Sequence, residues 1–231
     1  MKLFLIPSPL ADTNLNWVSP QLREAVSSCD YYLVEKEKTA RRFLGSLSIK
    51  ESIRDLNFFV LDKKTKLREI ELFFNKIPTT ENVGVISEAG CPGIADPGAM
   101  AVEYAHKKGI EVEPIVGPSS IFLALMSSGL SGQRFVFHGY LPIDKSKRLA
   151  YIKKMEQASV RNRETQIFME TPYRNNHLMT DLIATCQIDT KICIAANIHH
   201  PDQMIKTKTV NGWKKTTVEL HKKPTIFLIM A

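Results

Sequence analysis

The chain has 231 residues, 44% of them apolar and 24% charged, which excludes a disordered, collagen-like or coiled-coil chain and leaves enough length for one or two packed domains. Its 31 Lys/Arg exceed its 24 Asp/Glu by seven, and the excess is lopsided: residues 1–116 carry 15 against 16, residues 117–231 carry 16 against 8. A near-neutral half beside a basic one suggests a polyanion-facing surface on the second half, although scattered solvating lysines would give the same count.

The longest apolar stretches, Ile121–Met126 and Ile226–Ala231, fall far short of the ~18 residues of a membrane span. Met1–Ile6 lacks the apolar core of a signal peptide, so a cytoplasmic chain is expected, with no membrane partner. Cys29, Cys91, Cys186 and Cys193 are widely spaced and have no histidines at finger spacing, which argues for free thiols and no metal site.

In chain order, Lys2–Ile6 reads as a buried strand stopped by Pro7-Ser8-Pro9. Ser19-Pro20 supplies a cap and first-turn proline for a helix with Leu22, Ala25, Val26 and Cys29 on one face. Tyr31–Val34 is the next strand. Thr39–Leu44 is a short helix closed by Gly45, and Asp62 caps a helix presenting Leu67, Ile70, Phe74 and Ile77. Val83–Ser87 is a third clear strand. A small-residue loop follows, then a helix opened by Asp96-Pro97 and ended by Lys107-Lys108-Gly109, then a strand over Ile110–Val116. This alternation predicts a mostly parallel sheet covered on both faces, in a domain spanning residues 1–116.

The second domain, 117–231, opens with Gly117-Pro118-Ser119-Ser120 and the helix Ile121–Met126, apolar all round and so expected to be buried between layers. Strands are expected at Phe135–Tyr140, Gln166–Glu170, Ile192–Ile198, Met204–Val210 and Thr225–Met230, with helices near 146–158 and 172–185. The last strands follow one another without helices, which requires antiparallel pairs in a mixed sheet.

Ser87-Glu88-Ala89-Gly90-Cys91-Pro92-Gly93-Ile94-Ala95-Asp96-Pro97-Gly98 lies at the carboxyl end of a strand, where α/β sheets gather ligands. Its small residues admit a ligand to the backbone, but it matches neither phosphate-cradling fingerprint, and a purely structural turn stays open. Among other candidates, Glu170 at a strand end could act as a base with Arg174 one turn into a Thr171-capped helix, or the two could simply pair. His138 and His199-His200 could serve catalysis or structure; adjacent strand residues point to opposite faces, so the histidine pair does not easily hold one ion. The helix bearing Lys145, Lys147, Arg148, Lys153 and Lys154, with Arg161 and Arg163 beyond it, could follow RNA phosphates or merely face solvent.

Leu3–Leu10, Glu35 with Thr39–Leu44, the Glu88–Gly98 loop, Gly117–Ser120, Phe135–Pro142 and Phe168–Arg174 occur in an order that resembles the tetrapyrrole methylase family, and within it a branch methylating a ribose 2′-hydroxyl of 16S rRNA. The resemblance implies an α/β homodimer of two α/β domains, the N-terminal sheet mostly parallel and the C-terminal one mixed, with S-adenosylmethionine in the cleft between them. Carried onto this chain, Pro9, Ala89, Gly90, Cys91, Ser119, Ser120, Met169, Glu170, Pro224 and Thr225 would contact the cofactor, no metal would be needed, and RNA would meet the basic half. The chain departs from the family at Ala11-Asp12, where Gly-Asn is usual, at Glu35-Lys36 in place of an acidic pair, and at Ala196–His199, where an Ala-Arg-Glu-Leu stretch is expected; near Lys208 an expected glycine is missing. These departures lie on the acceptor side, so a methylase of small tetrapyrrole-like molecules and a cofactor-binding protein without catalysis remain alternatives.

Overall fold

A computed structural model describes residues 1–11, 15–49 and 52–231; Asp12, part of the departure noted above, lies outside them. The chain forms two compact units, Met1–Ser119 and Ser120–Ala231.

In the first unit, strands β1 (Lys2–Ile6), β2 (Cys29–Val34), β3 (Asn57–Val60), β4 (Asn82–Ile86) and β5 (Glu111–Pro114) form one parallel sheet in the order β3-β2-β4-β1-β5. Side chains alternate across it. Phe4 and Ile6 of β1 join Val26 of α1 (Pro20–Ser27) and Phe43 of α2 (Glu37–Leu47) in one core. Leu3 packs on the opposite side with Ile70 of α3 (Leu67–Phe74) and Tyr104 of α4 (Gly98–Lys108). The central strands are thus covered on two sides, as a parallel sheet requires.

Several local expectations shift. β3 was not anticipated: Asn57–Val60 is a short edge strand with exposed ends and no clean alternation. Gly45 lies inside α2, which ends instead at Ser48, in the left-handed conformation with φ 52°. Asp62 caps a tight turn, accepting from the backbone N–H of Lys64 and Thr65 at 2.7 and 3.0 Å, and α3 begins at Lys66, whose N–H is capped by Glu69. Asp96 does not cap α4 in the ordinary way but braces the loop before it.

In the second unit, β6 (Phe135–Tyr140), β7 (Thr165–Met169), β8 (Lys191–Ala196), β9 (Met204–Thr209) and β10 (Thr225–Met230) form a sheet in the order β6-β7-β10-β8-β9. Only the β6–β7 pair is parallel; β10 runs antiparallel to both neighbours and β9 antiparallel to β8, so the sheet is mixed. The helices α6 (Lys145–Asn162), α7 (Asn175–Thr185) and α8 (Val210–Lys214) share one core with β7, β8 and β10, centred on Phe168, Trp213 and Phe227. Trp213 donates its indole N–H to the Ile192 carbonyl at 2.9 Å, which fixes the short α8 that the sequence pattern had merged into a strand end.

α5 (Ser120–Ser128) is not buried all round: Phe122 is 54% and Met126 78% exposed, while Ile121, Ala124 and Leu125 face inward. α7 begins at Asn175 with Arg174 as its cap residue, so Thr171 opens a turn before the helix rather than capping it.

Candidate functional site

In a parallel sheet of this order the first helix leaves β1 toward one side and α4 leaves β4 toward the other, and β1 and β4 are neighbours. Their carboxyl ends therefore form the switch point at which open α/β sheets bind ligands. The Pro7-Ser8-Pro9 turn and the Ser87–Pro97 loop diverge from this point, yet they are clasped together. Ser8 N–H donates to the Gly90 carbonyl at 3.0 Å and Gly90 N–H returns to Ser8 at 3.1 Å, with the Ser87 hydroxyl adding a bond to the same Gly90 carbonyl at 3.1 Å. Ser8 Oγ is buried and takes no hydrogen-bond partner among the described residues.

Glycine is required at position 90. Its φ is +79°, and a Cβ there would stand 3.2 Å from the Pro118 carbonyl and 3.3 Å from Leu10. The Cys91 thiol donates to the Pro118 carbonyl at 3.4 Å, which ties the loop to the segment leading out of β5. Asp96 Oδ1 accepts from Gly93 N–H at 2.8 Å and Gly98 N–H at 2.7 Å and so holds the loop's far end closed. Burial pushes the Asp96 carboxyl above its ordinary pKa in spite of these bonds. Glu35, at the end of β2, accepts the Glu88 N–H at 2.8 Å and is likewise raised, first by burial and then by the nearby Asp96 and Glu88 charges. Lys36 pairs with Glu88 at 2.5 Å.

Beside the clasp lies a cavity of about 440 Å³ walled by Leu5, Cys91–Ile94, Ala99, Val102, Pro114 and Ile115. Its size is in the range of small-ligand sites, and among the described residues no charged side chain lines it. Leu5, Pro114 and Ile115 were not singled out from sequence. Only the pairing of β5 beside β1, with Ile115 N–H donating to Leu5 at 3.0 Å, brings them to the loop.

In the second unit, Met169 and Glu170 at the end of β7 meet Pro224 and Thr225 at the start of β10, because Met169 pairs with Ile226. Glu170 is buried; its Oε1 accepts from Arg174 Nη2 and from Thr171 N–H, both at 2.6 Å. Arg174 also donates from Nε to Thr171 Oγ1 at 3.2 Å, so the ion pair and the helix cap form one unit. Asn175 ties the same corner to β10, donating to Lys223 O at 2.7 Å and Thr225 Oγ1 at 3.2 Å. Pro9, Ala89, Gly90, Cys91 and Ser119 lie in the first unit, and Ser120, Met169, Glu170, Arg174, Pro224 and Thr225 in the second.

The remaining candidates sort by geometry. His138 uses both ring nitrogens within the fold: Gln166 Oε1, a carbonyl oxygen, can only accept, so Nε2 donates to it at 2.6 Å, and Nδ1 shares a hydrogen bond with the Tyr151 hydroxyl at 3.0 Å. His199 and His200 sit in the turn after β8 rather than on the strand, with His200 at 3.5 Å from Asp202. On the basic helix, Lys145, Lys147, Lys153, Lys154 and Arg161 are exposed. Arg148 is not a solvent-facing member of that row: it is buried against Asp181.

Comparison with known proteins agrees with this architecture. The chain covers 99% of its length against the crystal structure of the methyltransferase CobJ, and 93% of that chain, with a TM-score of 0.65 at 18% identity, a likeness of fold. It is 24% identical over 196 residues to a protein of Vibrio cholerae named ribosomal RNA small subunit methyltransferase I, matching 85% of this chain and 64% of that one. A protein of the same name from Buchnera aphidicola is 25% identical over 231 residues, matching 99% and 77%, and one from Thermotoga maritima 29% over 184 residues, matching 79% and 77%. The chain thus spans a little under two thirds of the Vibrio relative and about three quarters of the other two. The profile described as tetrapyrrole (corrin/porphyrin) methylases matches residues 3–211, and with two α/β units of this topology the chain belongs to that family.

Proposed function

We propose that the protein is a methyltransferase that takes its methyl group from S-adenosylmethionine and places it on a ribose 2′-hydroxyl of small-subunit ribosomal RNA. The observation that carries this reading is the clasped loop pair at the switch point, beside a cavity with no cation in its wall. A donor bearing a sulfonium is disfavoured by lysine or arginine and favoured by carboxylates, and here Asp96, Glu35 and Glu88 brace the loop while its inner wall is apolar. The residues present therefore fit such a donor. In the first unit the backbone groups of Ala89, Gly90 and Cys91, with Pro9 and Ser119, are the groups suited to contact it; Ser120, Met169, Glu170, Pro224 and Thr225 are the candidates of the second unit.

When bound, the donor supplies an activated methyl carbon for in-line displacement. The chain's own contribution is alignment of the acceptor oxygen with that carbon, which in ideal cases supplies about 7–11 kcal/mol. Glu170 accepts the hydroxyl proton on its carboxylate, and Arg174, fixed by Thr171 and Glu170, orients that carboxylate. The names of the relatives supply the RNA acceptor, and the exposed lysines of α6 suit its phosphates. Among the described residues no helix is long and apolar enough to cross a membrane, in keeping with action on ribosomes in the cytoplasm. Phe122 and Met126, one turn apart on α5, are exposed beside Phe135, with the Phe122 and Phe135 rings edge to face, and offer a surface for a homodimer.

The test has two parts. Calorimetric titration with S-adenosylhomocysteine should give one site per chain, and no heat would remove the donor assignment. Small-subunit RNA from a strain lacking the gene should gain one ribose methyl, located by mass spectrometry, when incubated with the protein and S-adenosylmethionine. Donor binding without that product would remove the acceptor.

A further inference from the structure

A second cavity, of about 280 Å³, opens within the second unit between the first turn of α6, the end of β7 and α7. Its titratable wall consists of Lys145, Arg148, Glu170, Arg174, His177 and Asp181, beside the Thr180 hydroxyl. Three fixed cations face two carboxylates, and each carboxylate already pairs with an arginine. Asp181 receives Arg148 Nη2 at 2.7 Å and Nε at 2.8 Å, with both side chains no more than 10% exposed. Arg148 Nη1 is held by the Pro142 and Ile143 carbonyls at 3.1 and 2.7 Å. Glu170 receives Arg174 at 2.6 Å.

What remains unspent is on the open side. Lys145 and His177 have no hydrogen-bond or ion-pair partner among the described residues, and neither does Nη1 of Arg174, whose Nε and Nη2 are engaged. Three donors and one surplus positive charge therefore border a space equal to roughly nine water volumes. A guanidinium edge beside an ammonium and an imidazole is the donor set that recognises a tetrahedral oxyanion. The cavity is open on one side, which suits a phosphate linked to a chain better than an enclosed small molecule.

We propose that this notch holds one phosphodiester of the RNA acceptor, gripped by Lys145, His177 and Nη1 of Arg174. The inference rests on the RNA reading given above and goes beyond it in naming a single subsite. Because Glu170 lies in the same wall, the phosphate seated here belongs to the nucleotide whose ribose approaches that carboxylate, or to its direct neighbour. The buried Arg148–Asp181 pair is the rigid floor and makes no contact with the ligand.

Fluorescence anisotropy with small-subunit RNA across 50–200 mM salt tests this. Lys145→Ala and His177→Ala should each weaken binding, and Lys145→Ala should flatten the log–log salt dependence by about 0.7, so that its affinity deficit shrinks about 2.6-fold between the two salts. Lys145→Arg should restore the slope. Lys191→Ala, an exposed lysine on β8 outside the notch, should leave it unchanged. Equal slopes for wild type and Lys145→Ala, with the wild type binding RNA, would overturn the subsite and leave the RNA reading standing. A loss in Lys191→Ala as large as in Lys145→Ala would also overturn it, by showing a diffuse field instead of a contact. No salt-dependent RNA binding by the wild type would overturn both.

Discussion

Gly90→Ala is the perturbation that most directly separates backbone conformation from donor binding. Two effects are superposed at this position. The φ of +79° costs an alanine about 1–2 kcal/mol on its own. The new Cβ would also stand 3.2 Å from the Pro118 carbonyl, so the loop or the segment after β5 must give by a few tenths of an ångström; Leu10, at 3.3 Å, can turn aside. Gly109 at the end of α4 has a similar φ of +67° with nothing within 4 Å, and so isolates the first effect. Gly109→Ala should therefore lower stability by about 1 kcal/mol and leave S-adenosylhomocysteine affinity unchanged. Gly90→Ala should cost about 2 kcal/mol and, by displacing the Ala89–Cys91 backbone, reduce that affinity by about tenfold or more. Urea unfolding paired with calorimetry reads both. Equal destabilisation of the two variants with unchanged affinity in both would refute the reasoning, because the clasp would then not be part of the donor site.

Arg148→Met should destabilise the second unit by about 3–5 kcal/mol, since Asp181 is left charged and buried, whereas the double variant Arg148→Met/Asp181→Leu should regain most of the loss; chemical denaturation of both checks this. Glu170→Gln should lower the methyl-transfer rate by about 10²-fold or more while changing donor affinity little, measured as single turnovers against calorimetric binding. Glu35 has a raised folded pKa, so its contribution favours folding below the ordinary carboxylate pKa and is lost as pH rises through the raised value. Glu35→Gln, which keeps an acceptor for the Glu88 N–H, should therefore raise the melting temperature relative to wild type more at pH 7 than at pH 4; a gain at pH 4 equal to that at pH 7 would contradict the assignment.

The alternation of strands and helices in the first unit is legible because its central strands are buried on both sides and read as continuous apolar runs, as Lys2–Ile6 and Val83–Ile86 do. Asn57–Val60 escapes because an edge strand has one neighbour and needs no such run. The misplaced helix starts share one cause. Asp62 and Asp96 satisfy backbone N–H groups in turns, and the local pattern of such a residue is the same whether the turn becomes a helix or stops. The loop from Glu88 to Gly98 stands out in the sequence as a candidate ligand loop, but the cavity walls supplied by Leu5, Pro114 and Ile115 depend on strand order, which local spacing does not encode. Arg148 looked like one more cation on a basic helix face. Its burial follows from Asp181, 33 residues away, and no periodicity within α6 announces that partner.

The two hydrogen bonds between Ser8 and Gly90 are made wholly by main-chain atoms. Such a knot is blind to what side chain stands at position 8. Any residue that keeps its amide hydrogen can tie it, and proline alone cannot. The turn after β1 and the loop after β4 are therefore joined as one jaw whose alignment tolerates drift at position 8 but not at position 90, leaving the walls around it at liberty to be rewritten for a different guest.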